Sequence, residues 1–214
     1  MRDHRSSTRV DADLDHEGRD DADQPDGIDD LALARAENVL TPARLGWSLL
    51  VLGLVGFAAS LALSIEKVLK LTDPDRVASC SINIFLDCAA AMGSWQGALL
   101  GFPNPFIGVA AFPVVVTTGV VLLAGARLPR WYWLSLLGGV LAAAALVVFL
   151  VHTSVAVLGR LCPYCMVVWA VTIPLWWFTL LDEFPLPRLR RFQALVLVGW
   201  FALILALVLV RFVV

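Results

Sequence analysis

The sequence is short of charge. Asp, Glu, Lys and Arg make up 16% of it against 59% hydrophobic residues, and the mean hydropathy is +0.81. So little polar surface excludes an ordinary soluble domain and makes the bilayer the reference solvent. The charge that exists is segregated: the first 40 residues hold five Arg against twelve acidic residues, a net of −7, so with −2 overall the remainder carries +5. No apolar stretch precedes Val39 and the start is acidic, which excludes a secretory signal with its basic and apolar regions. Residues 1–40 therefore read as an acidic, disordered cytoplasmic tail. Its Asp runs, His4 and His16 form no metal-ligand pattern, so neither a metal site nor a nucleic-acid partner is expected. Charge is also missing inside the apolar runs, which leaves no candidates for the ion or proton pathway of a transporter. His152, the one imidazole within a span, reads as a packed or interfacial side chain rather than a catalytic one.

What is present is apolar length. Uncharged runs cover Leu45 to Ile65, Cys88 to Ala126, Trp131 to Gly159, Leu161 to Leu181 and Phe192 to Val210. Each matches or exceeds the roughly 20 residues that an apolar helix needs to cross a bilayer. The second run is too long and too irregular to be one helix. Gly93, Gly97, Gly101, Pro103 and Asn104 in its first part indicate a loop with a short interfacial helix before a span begins. The expectation is an all-α membrane domain over 41–214, with spans at about 45–68, 105–126, 131–158, 161–181 and 192–212 and an outward loop at about 72–104.

Five spans put the two ends on opposite sides. The links 127–130 and 182–191 carry Arg127, Arg130, Arg188, Arg190 and Arg191, whereas the link between spans three and four carries only Arg160. The positive-inside rule makes those Arg-rich links and the N-terminus cytoplasmic, although Lys67, Lys70 and Arg76 on the outer side narrow the bias. Trp47, Trp95, Trp131, Trp133, Trp176 and Trp177 fall near span ends, where indoles favour the headgroup belt. In span three, Gly138, Gly139 and Ala142 to Ala145 would let a neighbouring helix approach closely.

Cysteine is rare as well, with four in the chain: Cys80, Cys88, Cys162 and Cys165. The topology above gathers all four on the outward, oxidising side. In Cys162-Pro163-Tyr164-Cys165 the CxxC follows a turn at Gly159 and opens span four. Pro163 suits the first helical position, which places Cys162 at the N-cap and Cys165 a turn deeper. The positive end of the helix dipole, aided by Arg160, favours a Cys162 thiolate. Cys80 and Cys88 lie on a loop, with Cys80 expected to be reachable from water and Cys88 next to the re-entering apolar run. Two dithiols so arranged are the minimum apparatus for a thiol relay. A four-cysteine zinc site fits poorly, because Cys80 and Cys88 do not make a zinc knuckle. Two structural disulfides remain an alternative, against which stands the strain of closing a CxxC within one helical turn.

In their order, Cys80, Cys88, Ser94, Asn104 and then the CxxC resemble the vitamin K epoxide reductase family, specifically its bacterial disulfide-forming members, over about Leu45 to Leu181. The resemblance implies a four-helix bundle around a quinone, with a fifth, peripheral helix. It implies that Cys80 faces a thioredoxin-fold (DsbA-like) partner, that Cys88 attacks Cys162, and that Cys165 lies beside the quinone. It further implies that Asn104, with Ser94, hydrogen-bonds near the quinone oxygens. The short, Ala-rich N-terminus and the absence of further domains suggest a bacterium, for which menaquinone is expected ahead of ubiquinone. Trp169 stands where vertebrate members have a quinone-contacting Tyr, and its indole N–H can donate but not accept. The chain ends at Val214 without the fused thioredoxin-like domain of some members, so a separate redox partner is expected. The function expected is reoxidation of that partner at the expense of quinone. Thiol-driven reduction of vitamin K epoxide or quinone is an alternative on the same fold, and a non-catalytic membrane scaffold braced by disulfides is one of another class.

Overall fold

The computed structural model describes residues 42–81, 85–183 and 192–213; the acidic segment and the link carrying Arg188, Arg190 and Arg191 lie outside the described residues. The chain is an all-α membrane protein. Its elements are α1 (Pro42–Thr72), the short α2 (Cys88–Gly93), a 3-10 turn (Trp95–Ala98), α3 (Pro105–Leu123), α4 (Arg130–His152), α5 (Pro163–Glu183) and α6 (Gln193–Val213). All of these except α2 and the 3-10 turn are long and apolar enough to cross a membrane. Between α4 and α5 the chain widens into a π-helical stretch, Thr153–Leu158, and turns at Gly159, whose φ of 63° is left-handed. Proline opens both α3 and α5 at a position that lacks an intrahelical N–H partner anyway.

The core forms where four helices converge. Leu45 and Leu49 of α1, Phe112 and Val115 of α3, Val140 of α4 and Leu175 of α5 are buried together. The apolar window of α6 is 0% buried, so this helix is peripheral. Its Trp200 donates the indole N–H to the Trp169 carbonyl of α5 at 3.2 Å, and Ile204 and Val208 pack against the cluster that holds Trp169.

Lipid tails are as apolar as leucine, so hydrophobicity alone cannot hold these helices together. Close backbone approach does so between α1 and α3. A Cβ on Gly119 would lie 2.7 Å from the Leu50 nitrogen and 2.8 Å from the Gly46 carbonyl, and one on Gly56 would strike the Phe112 ring at 2.3 Å. The Thr118 and Tyr132 hydroxyls then join α3 to α4 at 2.6 Å. This differs from the sequence expectation for span three. Gly138 and Gly139 have nothing within 4 Å of where a Cβ would stand and face outward; of Ala142 to Ala145, Ala144 alone is buried. A run of small residues permits close approach, but which face carries a neighbour depends on how the bundle assembles. For the same reason Trp177 is buried among the helices instead of lying in a headgroup belt, while Trp47, Trp95 and Trp131 are exposed as expected.

Gly119→Leu is expected to destabilise the protein by about 1–3 kcal/mol through overpacking against backbone that cannot yield. Gly138→Leu should leave stability unchanged. Thermal unfolding of both variants in detergent, followed by exposure of buried cysteines, compares them directly.

Candidate functional site

Four segments bring the cysteines together at one end of the bundle: the end of α1, the loop after it, α2, and the turn into α5. The link is a short backbone pairing. Leu161 donates its N–H to the Phe85 carbonyl at 2.8 Å and accepts from the Asp87 N–H at 3.0 Å, making a parallel bridge between Leu86 and Leu161. Each partner of that bridge lies one or two residues before a cysteine, so pairing the backbones pairs the sulfurs.

Cys80 and Cys88 form a disulfide with their Cα atoms 5.7 Å apart. Cys162 and Cys165 are free thiols, and the Cys162 Sγ lies 3.2 Å from the Cys88 Sγ. Cys88 and Cys162 are 0% and 1% exposed, which keeps water from the contact. Cys162 immediately precedes α5, with Pro163 as its first residue and the Met166 N–H donating to the Cys162 carbonyl at 3.0 Å. The Cys162 thiol is held below its ordinary value. A hydrogen bond from Cys165 contributes most and the Cys165 and Tyr164 N–H groups add to it, outweighing burial and the charge of Asp87, which act the other way.

Cys80 is less accessible than the sequence suggests. It is 4% exposed, packed with Leu63, Ala78 and Met92, because both serines beside it are tied down. The Ser79 hydroxyl and N–H donate to Glu66, which is itself buried near the end of α1. The Ser81 hydroxyl donates to Asp87 at 2.7 Å. Lys67 reaches across from α1 to the Met92 carbonyl at 2.7 Å and fixes α2.

Asp87 is the polar centre of the arrangement. It is the N-cap of α2, accepting the Ala89 N–H at 2.9 Å, and its other oxygen accepts from Arg160 at 2.6 Å. Burial by itself would raise its carboxyl, but the Ser81, Arg160, Ala89 and Ala90 donors prevail and hold it below its ordinary value. Arg160 thus meets a carboxylate, not Cys162. Glu66, Asp87 and Ser81 were not among the residues singled out from sequence. The available signal was a carboxylate beside a cysteine motif in a chain otherwise poor in charge.

The remaining sequence candidates divide. The Ser94 hydroxyl donates to the Ala91 carbonyl at 2.8 Å and accepts from the Gly97 N–H at 3.2 Å, which joins α2 to the 3-10 turn. The Asn104 amide donates to the Gln96 carbonyl at 2.7 Å and accepts from the Leu99 N–H at 3.1 Å, closing the loop before α3. Both work within the loop. Trp169 is 3% exposed one turn below Cys165, beside Val147 and Leu161. Cys165 itself is half-buried between two apolar groups, Leu63, Met92 and Tyr164 on one side and Leu161 and Trp169 on the other. Such an apolar surround fits a quinone ring at the Cys165 sulfur, and the Asn104 amide keeps a second N–H beyond the one given to Gln96. An apolar cavity of about 460 Å³ adjoins the motif on the α6 side, lined by Leu86, Pro163, Met166, Val167, Ile204 and Val208. His152 is exposed at the end of α4.

A disulfide and a dithiol in contact through the Cys88 and Cys162 sulfurs, the dithiol opening a membrane helix, can exchange an S–S bond without the chain moving far. A comparison with curated proteins gave no match. The model of the vitamin K epoxide reductase family, whose members are thiol-dependent quinone oxidoreductases working with thioredoxin-fold partners, matches residues 47–180, which include all four cysteines. The chain belongs to the vitamin K epoxide reductase family.

Proposed function

We propose that this protein reoxidises a thioredoxin-fold partner on the outer side of the membrane, passing electrons from Cys80 and Cys88 to Cys162 and Cys165 and then to a quinone. The observation that carries this reading is the 3.2 Å approach of the Cys88 and Cys162 sulfurs across the two dithiols. The proposed orientation puts the acidic N-terminal segment and the link with Arg127 and Arg130 on the cytoplasmic side, as the distribution of Arg favours.

In the proposed relay a partner thiolate attacks the Cys80 sulfur and releases the Cys88 thiolate. The partner's second thiol resolves that mixed disulfide, so the partner leaves oxidised and Cys80 is left as a thiol. The Cys88 thiolate attacks Cys162 of a Cys162–Cys165 disulfide and releases the Cys165 thiolate. Cys80 then attacks Cys88, restoring the Cys80–Cys88 disulfide and releasing Cys162. Every step exchanges one S–S bond for another. The quinone, when bound, supplies an acceptor for the two electrons and two protons of the Cys162–Cys165 dithiol. Cys165, Trp169 and the Asn104 amide are the groups proposed to bind and orient it, with Ser94 supporting the loop that carries Asn104. A burial of Cys80 this deep means that partner entry requires the Ser79–Glu66 and Ser81–Asp87 contacts to open.

Cys165→Ala leaves Cys162 facing the Cys80–Cys88 disulfide without the Cys165 thiol that would otherwise attack Cys162 and release Cys88. The expected product is a Cys88–Cys162 disulfide, seen on non-reducing gels and by mass spectrometry, together with loss of partner oxidation in cells. Recovery of the Cys80–Cys88 bond alone, with partner oxidation unchanged, would sink the relay.

The pH dependence of this exchange follows from the hydrogen bond that Cys165 gives Cys162. A thiolate nucleophile is present above the folded-state value of Cys162 and is lost as pH falls through it. Cys165→Ser keeps a donor and Cys165→Ala removes it, so the pH midpoint for forming the Cys88–Cys162 bond should lie higher in the Ala variant. Cross-linking rates measured over a pH series for both variants give the two midpoints.

A further inference from the structure

The relay needs two sulfurs on different segments to meet in one register. Leu161 makes two backbone hydrogen bonds to the 85–87 segment, yet a backbone ladder offers similar bonds in a slipped register and does not select one by itself. The side chains beside it do. Asp87 directly precedes Cys88 and Arg160 lies two residues before Cys162, and their ion pair spans the bridge at 2.6 Å. Asp87 is fixed in turn by Ser81, next to Cys80, and by the Ala89 N–H at the start of α2. One carboxylate therefore touches the segments carrying Cys80, Cys88 and Cys162.

We propose that Asp87 and Arg160 are positioning residues for disulfide exchange, their ion pair pinning the register that holds the Cys88 sulfur against the Cys162 sulfur. The proposal rests on the relay described above. It concerns a single step, in which the Cys162 thiolate bonds to Cys88, the Cys80–Cys88 bond breaks and Cys80 leaves as thiolate, or the same exchange in reverse. Arg160 is 43% exposed, so the pair is open to solvent screening and adds little to global stability. Its effect falls on geometry. A misplacement of about 1 Å between reacting groups can cost about 100-fold in rate.

The test uses the full chain in lipid nanodiscs, carrying Cys165→Ala, and follows the rate of Cys88–Cys162 bond formation by mass spectrometry. Arg160→Gln, Arg160→Lys and Asp87→Asn are compared with that parent, and thermal unfolding is recorded for each. Asp87→Asn retains an oxygen for Ala89 and Ser81 while removing the charge facing Arg160. Expected are a slowing of about tenfold to 100-fold in Arg160→Gln and Asp87→Asn, recovery of most of the rate in Arg160→Lys, and unchanged thermal unfolding. Parent-like rates in both Arg160→Gln and Asp87→Asn would overturn the positioning role. So would a loss of rate that tracks a loss of thermal stability and is not recovered by Arg160→Lys, since the pair would then be a structural strut. If the parent itself forms no cross-link, the relay fails, and the positioning role fails with it.

Discussion

The contact on which the rest of this structure depends is the pairing of the loop segment 85–87 with Leu161 at the entrance to α5. Two backbone hydrogen bonds join the segments there, and beside them the Cys88 and Cys162 sulfurs lie 3.2 Å apart, although the residues are 74 positions apart in sequence. Sulfur exchange requires contact and tolerates little error in placement. Much of the surrounding polar chemistry serves that placement. Asp87 caps α2 and binds Ser81 and Arg160, Glu66 holds Ser79, and Lys67 holds the end of α2.

The membrane bundle gives the loop a rigid base. The glycines of α1 and α3 let two backbones touch, so the end of α1, with Glu66 and Lys67, is fixed relative to the α5 N-terminus through a packed core. The π-helical stretch and the left-handed Gly159 turn the chain from α4 so that Leu161 presents its edge to the loop. Scaffold and site are therefore coupled through a few short contacts at one end of the bundle.

This division explains why the Cys80 segment is both tethered and buried. A sulfur that must meet a second protein, as proposed, cannot stay at 4% exposure; it packs against Leu63, Ala78 and Met92, and the loop that carries it is tied down by side-chain contacts to Glu66 and Asp87. Such contacts can open locally while the helices stay intact. The same loop keeps Ser94 and Asn104 in its own hydrogen-bond network, which makes them parts of the frame that links α2 to the start of α3.

Apolar length alone determined the five membrane helices, because the cost of burying charge in hydrocarbon is written directly into composition. The ordered cysteines, with Ser94 and Asn104, were enough to indicate the family, and the Pro163 position located the start of α5. Sequence could not say which small residues would meet a neighbour: Gly119 and Gly56 do, while Gly138 and Gly139 face outward. Nor could it reveal that Arg160 would pair with Asp87, that Cys80 would be buried, or that Trp177 would turn inward. A helix pattern shows how apolar each face is but not which face meets a partner, and in lipid both faces are apolar. Contacts between residues far apart in sequence exist only after the helices have packed, and tertiary structure alone decides them.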